Sequence, residues 1–241
     1  MNHHTPDWCA PDFEVADRLR AAADFEVADR LRAAPADIDA LRERLATDAA
    51  REGLVDVAYR VVDSPIGGLL LAATPNGLVY VAFEVENRDD VLGMLADRIG
   101  PRVLLTPAAA ALARDAEPVS AMAGPAPAGV LDEAAAQLSQ YLAGERREFD
   151  LPLDTRLATG FRGQVQRHLA DIAYGRTATY KQLAADLERP GAVRAVGTAC
   201  ATNPLPLVWP CHRILRSDGG LGGYRGGVEA KQRLLAMESA A

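Results

Sequence analysis

The pattern of apolar and polar positions changes character three times along the chain. From Val57, the stretch "VAYRVVDSPIGGLLLAATPNGLVYVAFE" holds three short β-rich runs, parted by Pro-Ile-Gly-Gly and Pro-Asn-Gly. Runs of that length between turn residues predict a meander of antiparallel strands. Helical spacing follows around Arg88–Ile99, then "RVLLT" reads as another strand. Residues 118–129, "PVSAMAGPAPAG", read as a Pro/Ala/Gly loop, and "VLDEAAAQLSQYLAGE" carries an apolar stripe of helical period. Residues 54–152 are thus expected to form an α+β supporting domain.

Residues 153–241 have another texture. "FRGQVQRHLADIAYG" predicts a helix ended by Gly175, "TYKQLAADLE" a short helix stopped by Pro190, and "AVRAVGTACAT" a third. The last two, joined by "RPGA", are arranged like a helix-turn-helix. After Asn203-Pro204, the apolar run Leu207–Trp209 reads as a buried strand stopped by Pro210. Cys211, His212 and Arg213 come next, then the loop "SDGGLGGYRGG" and a final helix "VEAKQRLLAMES".

Residues 1–53 form an acidic extension, helical or disordered. Here "DFEVADRLRAA" occurs at 12–22 and again, letter for letter, at 24–34. An offset of twelve residues turns a helical face by about 120°, so the two apolar sets do not align. The repeat reads as a slip duplication, not a stacking array. His3, His4 and Cys9 lack a fourth ligand at zinc spacing, so no metal is expected.

Composition narrows the class. The 241 residues are 49% hydrophobic, and no apolar run is long enough to predict a membrane span. The N-terminus lacks the basic and apolar regions of a secretory signal. Three scattered cysteines argue against a disulfide framework and for a reducing, cytoplasmic setting. The net charge of −7 weighs against nucleic acid as a partner, but residues 159–241 carry a balance of +5 and the rest −12. That asymmetry fits either a nucleic-acid face or an uneven solvated surface.

Two features carry candidate chemistry. The segment Ala192–Thr202 is almost bald, with Ala192, Ala195, Gly197, Thr198, Ala199 and Ala201 beside one long cation, Arg194. Such a helix either packs tightly on another helix or suits the minor groove of DNA, where backbone contacts hold the protein. In the corner Pro210–Arg213, a thiol stands beside an imidazole that could take its proton. Adjacency in sequence does not bring the side chains together, so a structural corner stays open beside a nucleophilic site.

The order of motifs resembles the O6-alkylguanine-DNA alkyltransferases, also called methylated-DNA–protein-cysteine methyltransferases. The hallmark Pro-Cys-His-Arg followed by an aliphatic residue stands at Pro210–Ile214. "RAVG…NP" matches Arg194–Gly197 and Asn203-Pro204, "YGxxxxYxxLA" matches Tyr174–Ala184, and "GYxGGxxxKxxLLxxE" matches Gly223–Glu238. The resemblance covers the last third of the chain without a gap and extends to the meander. It implies a ribonuclease-H-like N-terminal domain, then a helical winged-helix or helix-turn-helix DNA-binding domain carrying the active-site cysteine.

It implies that Cys211 accepts an alkyl group from O6 of guanine, with O4-alkylthymine a further candidate. His212 deprotonates the thiol through a water and Glu238 holds His212. Asn203 braces the corner, and Tyr180 donates a proton to the leaving base. Arg194 fills the gap left by the flipped nucleotide, alongside Ala195, Gly197 and Thr198 on the DNA-binding helix. Tyr224, Arg225, Pro206, Cys200 and Ile214 wall the pocket. No cofactor is implied. The implied partner is double-stranded DNA, bound as a monomer through the minor groove, and no membrane. Cys200, Arg225 and Gln166 depart from the family pattern and put pocket size in question. A non-enzymatic lesion sensor of the same fold and a cysteine hydrolase are the competing readings.

Overall fold

The computed structural model describes residues 52–106 and 127–240, together with Leu41, Leu45, Asp48 and Ala49. The duplicated strings, His3, His4, Cys9 and residues 118–126 lie outside the described residues. The chain divides into two compact units, residues 1–45 and 46–241. Of the first, Leu41 and Leu45 are described, both exposed.

In the second unit the meander forms as β1 (Val57–Val62), β2 (Leu69–Thr74) and β3 (Gly77–Phe83). The sheet order is β3-β2-β1-β4, antiparallel except that β4 (Val103–Leu105) runs parallel to β1. Every residue of β2 and β3 is buried. Both sheet faces are covered, which is why these strands read as continuous apolar runs and not as alternation. Leu70, Ala72, Val79 and Ala82 share a cluster with Val91 and Leu95 of helix α1 (Arg88–Arg98). Leu69, Leu71, Leu78 and Val81 face the other way.

That second face meets α2 (Pro127–Leu142) through Val130, Leu131, Ala134 and Leu138. The helix begins inside the stretch expected to be loop. Proline is at home in a first turn, where its missing N–H leaves no bond unmade. The same cluster runs on without a break through Val165, Leu183, Val196, Leu205, Trp209 and Leu234. The sheet and the C-terminal helices therefore share one core.

The C-terminal helices are α3 (Gly160–His168), α4 (Tyr180–Asp186), α5 (Val193–Ala201) and α6 (Gly227–Ser239). A capping box between Thr179 and Gln182 starts α4. The expected helix to Gly175 is shorter. It passes into a 3-10 turn at Leu169–Asp171, and Ile172 is extended. Its carbonyl there accepts from Arg213 Nη1 at 2.5 Å.

The expected strand Leu207–Trp209 is a tight turn, although the run is largely buried as expected. Prolines at 204, 206 and 210 remove the N–H groups that a ladder needs. Asn203 supplies the bonds instead. Its Nδ2 donates to Trp209 O at 2.7 Å, and its Oδ1 accepts from Leu205 N at 3.1 Å. Trp209 N closes the turn on Leu205 O at 2.8 Å, and Leu207 takes φ 75°.

Candidate active site

The asparagine turn delivers Cys211 onto the wall of a cavity of about 340 Å³. The wall is made by Tyr180 of α4, Gly197, Cys200 and Ala201 of α5, Cys211, and the loop residues Gly223, Tyr224 and Arg225. Six of the expected residues thus meet there: Cys211, Tyr180, Tyr224, Arg225, Cys200 and, from the expected DNA-binding set, Gly197. Pro206 and Ile214, expected in the wall, are buried but do not line this cavity. Pro206 is taken up in the tight turn. Ile214 pairs with Ala178 in a short parallel ladder, and its carbonyl accepts from Lys231 Nζ at 2.6 Å.

The two residues that follow Cys211 enter a buried polar network centred on Glu238 of α6. One carboxylate oxygen of Glu238 is 3.0 Å from His212 Nε2. Arg213 donates from Nε at 3.0 Å to the second oxygen and from Nη2 at 2.8 Å to the first. The Tyr141 hydroxyl donates to Glu238 and lies 3.2 Å from His212 Nε2. The backbone N–H of Gly175 donates to Glu238 at 3.1 Å. Gly175 has φ 70°, and a Cβ there would sit 3.0 Å from the Glu238 carbonyl, so the close approach suits glycine. Burial alone would raise the carboxyl pKa. The bonds from His212, Arg213 and Tyr141 instead bring it down to about 2.

This network assigns the histidine tautomer. The tyrosine proton is used on Glu238, so His212 Nε2 is left to carry its own proton toward that carboxylate. The lone pair then sits on Nδ1, which is buried without a hydrogen-bond partner among the described residues. Burial lowers the His212 pKa against the pull of Glu238, so the ring rests neutral. Burial also holds the Cys211 thiol above its ordinary pKa. A hydrogen bond from Asn203 and the charges of Lys231 and Arg225 oppose that shift. Tyr180 is likewise raised by burial, with the two thiols adding to it.

The departures from the family pattern also find their places. Cys200 is pushed up to about 12 by burial, so it rests as a thiol. Gln166 Nε2 donates to Ala199 O at 3.0 Å and Thr202 O at 3.1 Å, satisfying carbonyls at the end of α5. On the opposite face of α5, Arg194, Ala195 and Thr198 are exposed and Gly197 is half-buried, while Val196, Ala199 and Cys200 are buried. Thr198 Oγ1 donates to Arg194 O at 3.2 Å.

Two residues of the network, Tyr141 and Arg213, went unassigned in sequence, as did the buried Lys231. Arg213 and Lys231 fall within the matched motifs, so their positions were visible. Their partners were not, because those depend on chain crossing at Ile172, Ile214 and Leu221. Tyr141 continues the apolar stripe of α2, and nothing in that stripe sets it apart from a core aromatic.

A neutral histidine oriented by a carboxylate, next in sequence to a thiol on a cavity wall beside an exposed small-residue helix, defines a cysteine-nucleophile protein. The ribonuclease-like domain of 6-O-methylguanine DNA methyltransferase matches residues 57–155, and that family's DNA binding domain matches residues 160–240. A methylated-DNA–protein-cysteine methyltransferase of Mycolicibacterium paratuberculosis is 39% identical over 76% of this chain and 92% of its own length. One from Methanosarcina barkeri is 34% identical over 75% of this chain and 96% of its own. The Mycobacterium tuberculosis OGT, solved in complex with DNA, aligns with a TM-score of 0.58 and 32% identity, over 76% of this chain and 93% of that one. The chain belongs to the O6-alkylguanine-DNA alkyltransferase family, the methylated-DNA–protein-cysteine methyltransferases.

Proposed function

We infer that this protein repairs DNA by transferring an alkyl group from O6 of guanine to Cys211. The observation that carries the assignment of the nucleophile is the place of the Cys211 thiol on the cavity wall, next in sequence to a His212 whose buried Nδ1 has no hydrogen-bond partner among the described residues. In the reaction the bond from the alkyl carbon to O6 breaks and a carbon–sulfur bond forms. The thiol proton passes to His212 Nδ1 through a water, and Glu238 stabilises the resulting imidazolium. Tyr180 protonates the leaving guanine, a role supported by its place on the cavity wall and its raised pKa. The product is a stable thioether, so each molecule acts once. No cofactor takes part, because the substrate carries the group.

Double-stranded DNA is the partner, gripped in the minor groove by the exposed face of α5. A base inside a duplex is out of reach of a side chain on that helix, so the nucleotide must be extruded. Arg194, exposed and with no hydrogen bond or ion pair from its side chain among the described residues, is suited to fill the vacated stack. Ala195, Gly197 and Thr198 let the backbone approach. Residues 54–152 act as the supporting domain and residues 153–241 as the DNA-binding alkyltransferase domain, beyond an accessory extension. The protein works as a cytoplasmic monomer, away from membranes. O4-alkylthymine is a secondary substrate of the same pocket.

The direct test incubates the full chain with duplex containing O6-methylguanine and maps the modified peptide by mass. One methyl group on the Cys211 peptide, at no more than one equivalent per molecule, is the expected result. Many turnovers per molecule, or a methyl elsewhere, would overturn the assignment.

A further inference from the structure

All eight residues lining the cavity lie between Tyr180 and Arg225. The sheet nevertheless reaches the site through two of them, Tyr224, whose ring meets Phe83 of β3 edge-on at 5.3 Å, and Arg225. Arg225 Nη1 donates to the backbone carbonyl of Asn203 at 2.6 Å. Its Nη2 donates to Tyr80 Oη on β3 and to a Glu86 carboxylate oxygen just beyond that strand. The guanidinium carbon stands 5.1 Å from the Tyr80 ring centroid. The next strand residue acts on the same turn, since Val81 N donates to Pro204 O at 2.8 Å. Gly226 fixes the loop against the sheet, because a Cβ there would fall 2.6 Å from the Phe83 ring.

We propose that Arg225 is a positioning residue, which ties Tyr80 and Glu86 of the sheet to the asparagine turn and so holds Cys211 in its reacting place. The path is short. Arg225 holds the Asn203 carbonyl, the Asn203 side chain holds Trp209 O, and Cys211 N donates to that same Trp209 carbonyl at 2.8 Å. A planar guanidinium can serve several acceptors fixed in one fork, which a lysine ammonium does not reproduce. Its charge also faces the thiol, together with Lys231 of α6, Cys200 of α5, Tyr180 of α4 and Tyr224 of the same loop. The sheet half is thereby a working part of the site without touching substrate.

The inference rests on the alkyl-transfer reading, and Glu86 separates it from a role in pocket shape, because Glu86 does not line the cavity. Single-turnover transfer from free O6-benzylguanine is measured for wild type, Glu86→Ala, Tyr80→Phe, Arg225→Lys, Arg225→Ala and the Glu86→Ala/Arg225→Ala double variant. Folding is checked by circular dichroism. Glu86→Ala is expected to lower the limiting rate at least about fivefold while the half-saturating concentration stays within about twofold. Arg225→Lys is expected not to restore the rate, and the double variant to be no slower than Arg225→Ala alone. A folded Glu86→Ala protein with the wild-type limiting rate, or losses that multiply in the double variant, would overturn the proposal. If wild type reacts with neither O6-benzylguanine nor duplex containing O6-methylguanine, the functional reading fails, and iodoacetamide then tests the positioning alone. The pH midpoint of Cys211 alkylation, read by peptide mass, is expected to rise in folded Arg225→Ala. An unmoved midpoint would count against the link.

Discussion

The sheet half and the helical half bury different things. Between Val57 and Thr106 the buried set is almost wholly apolar, with Arg60, Thr74 and Thr106 as its polar members. Between Gly160 and Ser239 it includes Gln166, Asn203, His212, Arg213, Lys231 and Glu238. Burying a charge is costly unless it is paired and hydrogen-bonded. Four buried titratable side chains, His212, Arg213, Lys231 and Glu238, thus set the helical half apart from the sheet half. The sheet half shows the complementary economy: its β3 edge is spent on the asparagine turn, not on a site of its own. A functional residue is thus easier to find by asking which buried groups are polar than by asking which part of the chain is largest.

The largest expected effect tests whether chemistry is confined to the helical half. Cys211→Ser should abolish alkyl transfer, since a hydroxyl is far less ionised and less nucleophilic than a thiol at neutral pH. Binding to duplex DNA should persist, measured by fluorescence anisotropy. Residual transfer at the wild-type rate would move the nucleophile elsewhere. Cys200, on the same cavity wall, would be examined first through Cys200→Ala.

Next comes stability, where the two halves should respond to pH in different ways. Leu71→Ala in β2 removes a fully buried side chain and should cost about 2–5 kcal/mol, nearly the same at pH 4 as at pH 7. Glu238→Ala leaves Arg213 buried without its carboxylate and should cost about 3–5 kcal/mol near neutrality. Its cost should shrink in acid. The Glu238 carboxyl is held at about 2 against an ordinary 4.5, so it contributes on the order of 3 kcal/mol above pH 4.5. That contribution is lost as pH falls from 4.5 toward 2. His212 acts in the same direction from higher pH, because its depressed pKa means the unfolded chain takes up a proton first below 6.5. Urea denaturation at several pH values checks both variants. Equal pH dependence in the two would dissolve the contrast.

How far the sequence foretold each half follows from the same physics. Strands β1 to β4 and helix α1 were legible because turn residues and apolar runs are local signals. The motif residues that converge on the cavity were legible through the family resemblance. The Leu207–Trp209 turn was misread as a strand because its hydrogen bonds come from the Asn203 side chain and not from a ladder. Tyr141 was missed because a site residue on an apolar stripe looks like core. Pro206 and Ile214 were placed in the wall although the turn and the short ladder bury them elsewhere. The Arg225 link was invisible because it joins residues more than a hundred positions apart.

A smaller effect divides the helical half within itself. Arg194→Ala should slow repair of O6-methylguanine in duplex DNA by roughly tenfold or more, about 1.4 kcal/mol of barrier. Reaction with free O6-benzylguanine should be unchanged, because a free base needs no extrusion. The side chain is exposed on α5 and does not line the cavity. Equal losses on the two substrates would make it a support of the fold. The wild-type affinity for duplex should also fall with added salt, as phosphate contacts require.

The smallest expected effect concerns residues 1–45, which belong to neither half. Both family matches begin after them, at residue 57 and residue 160. The paratuberculosis relative is covered over 92% of its length by 76% of this chain. On a straight helix their two copies of "DFEVADRLRAA" would set their apolar residues about 120° apart, a poor design for one docking face. Their acidic character also disfavours the phosphate backbone. A variant beginning at Ala46, where the second compact unit starts, should therefore match the full chain in single-turnover rate on methylated duplex within about twofold, or roughly 0.4 kcal/mol of barrier. Circular dichroism and the thermal midpoint should match as well. A folded truncation at least about tenfold slower would mean that the extension helps form the site or position the DNA. The division of labour between sheet and helices would then be incomplete without a third contributor.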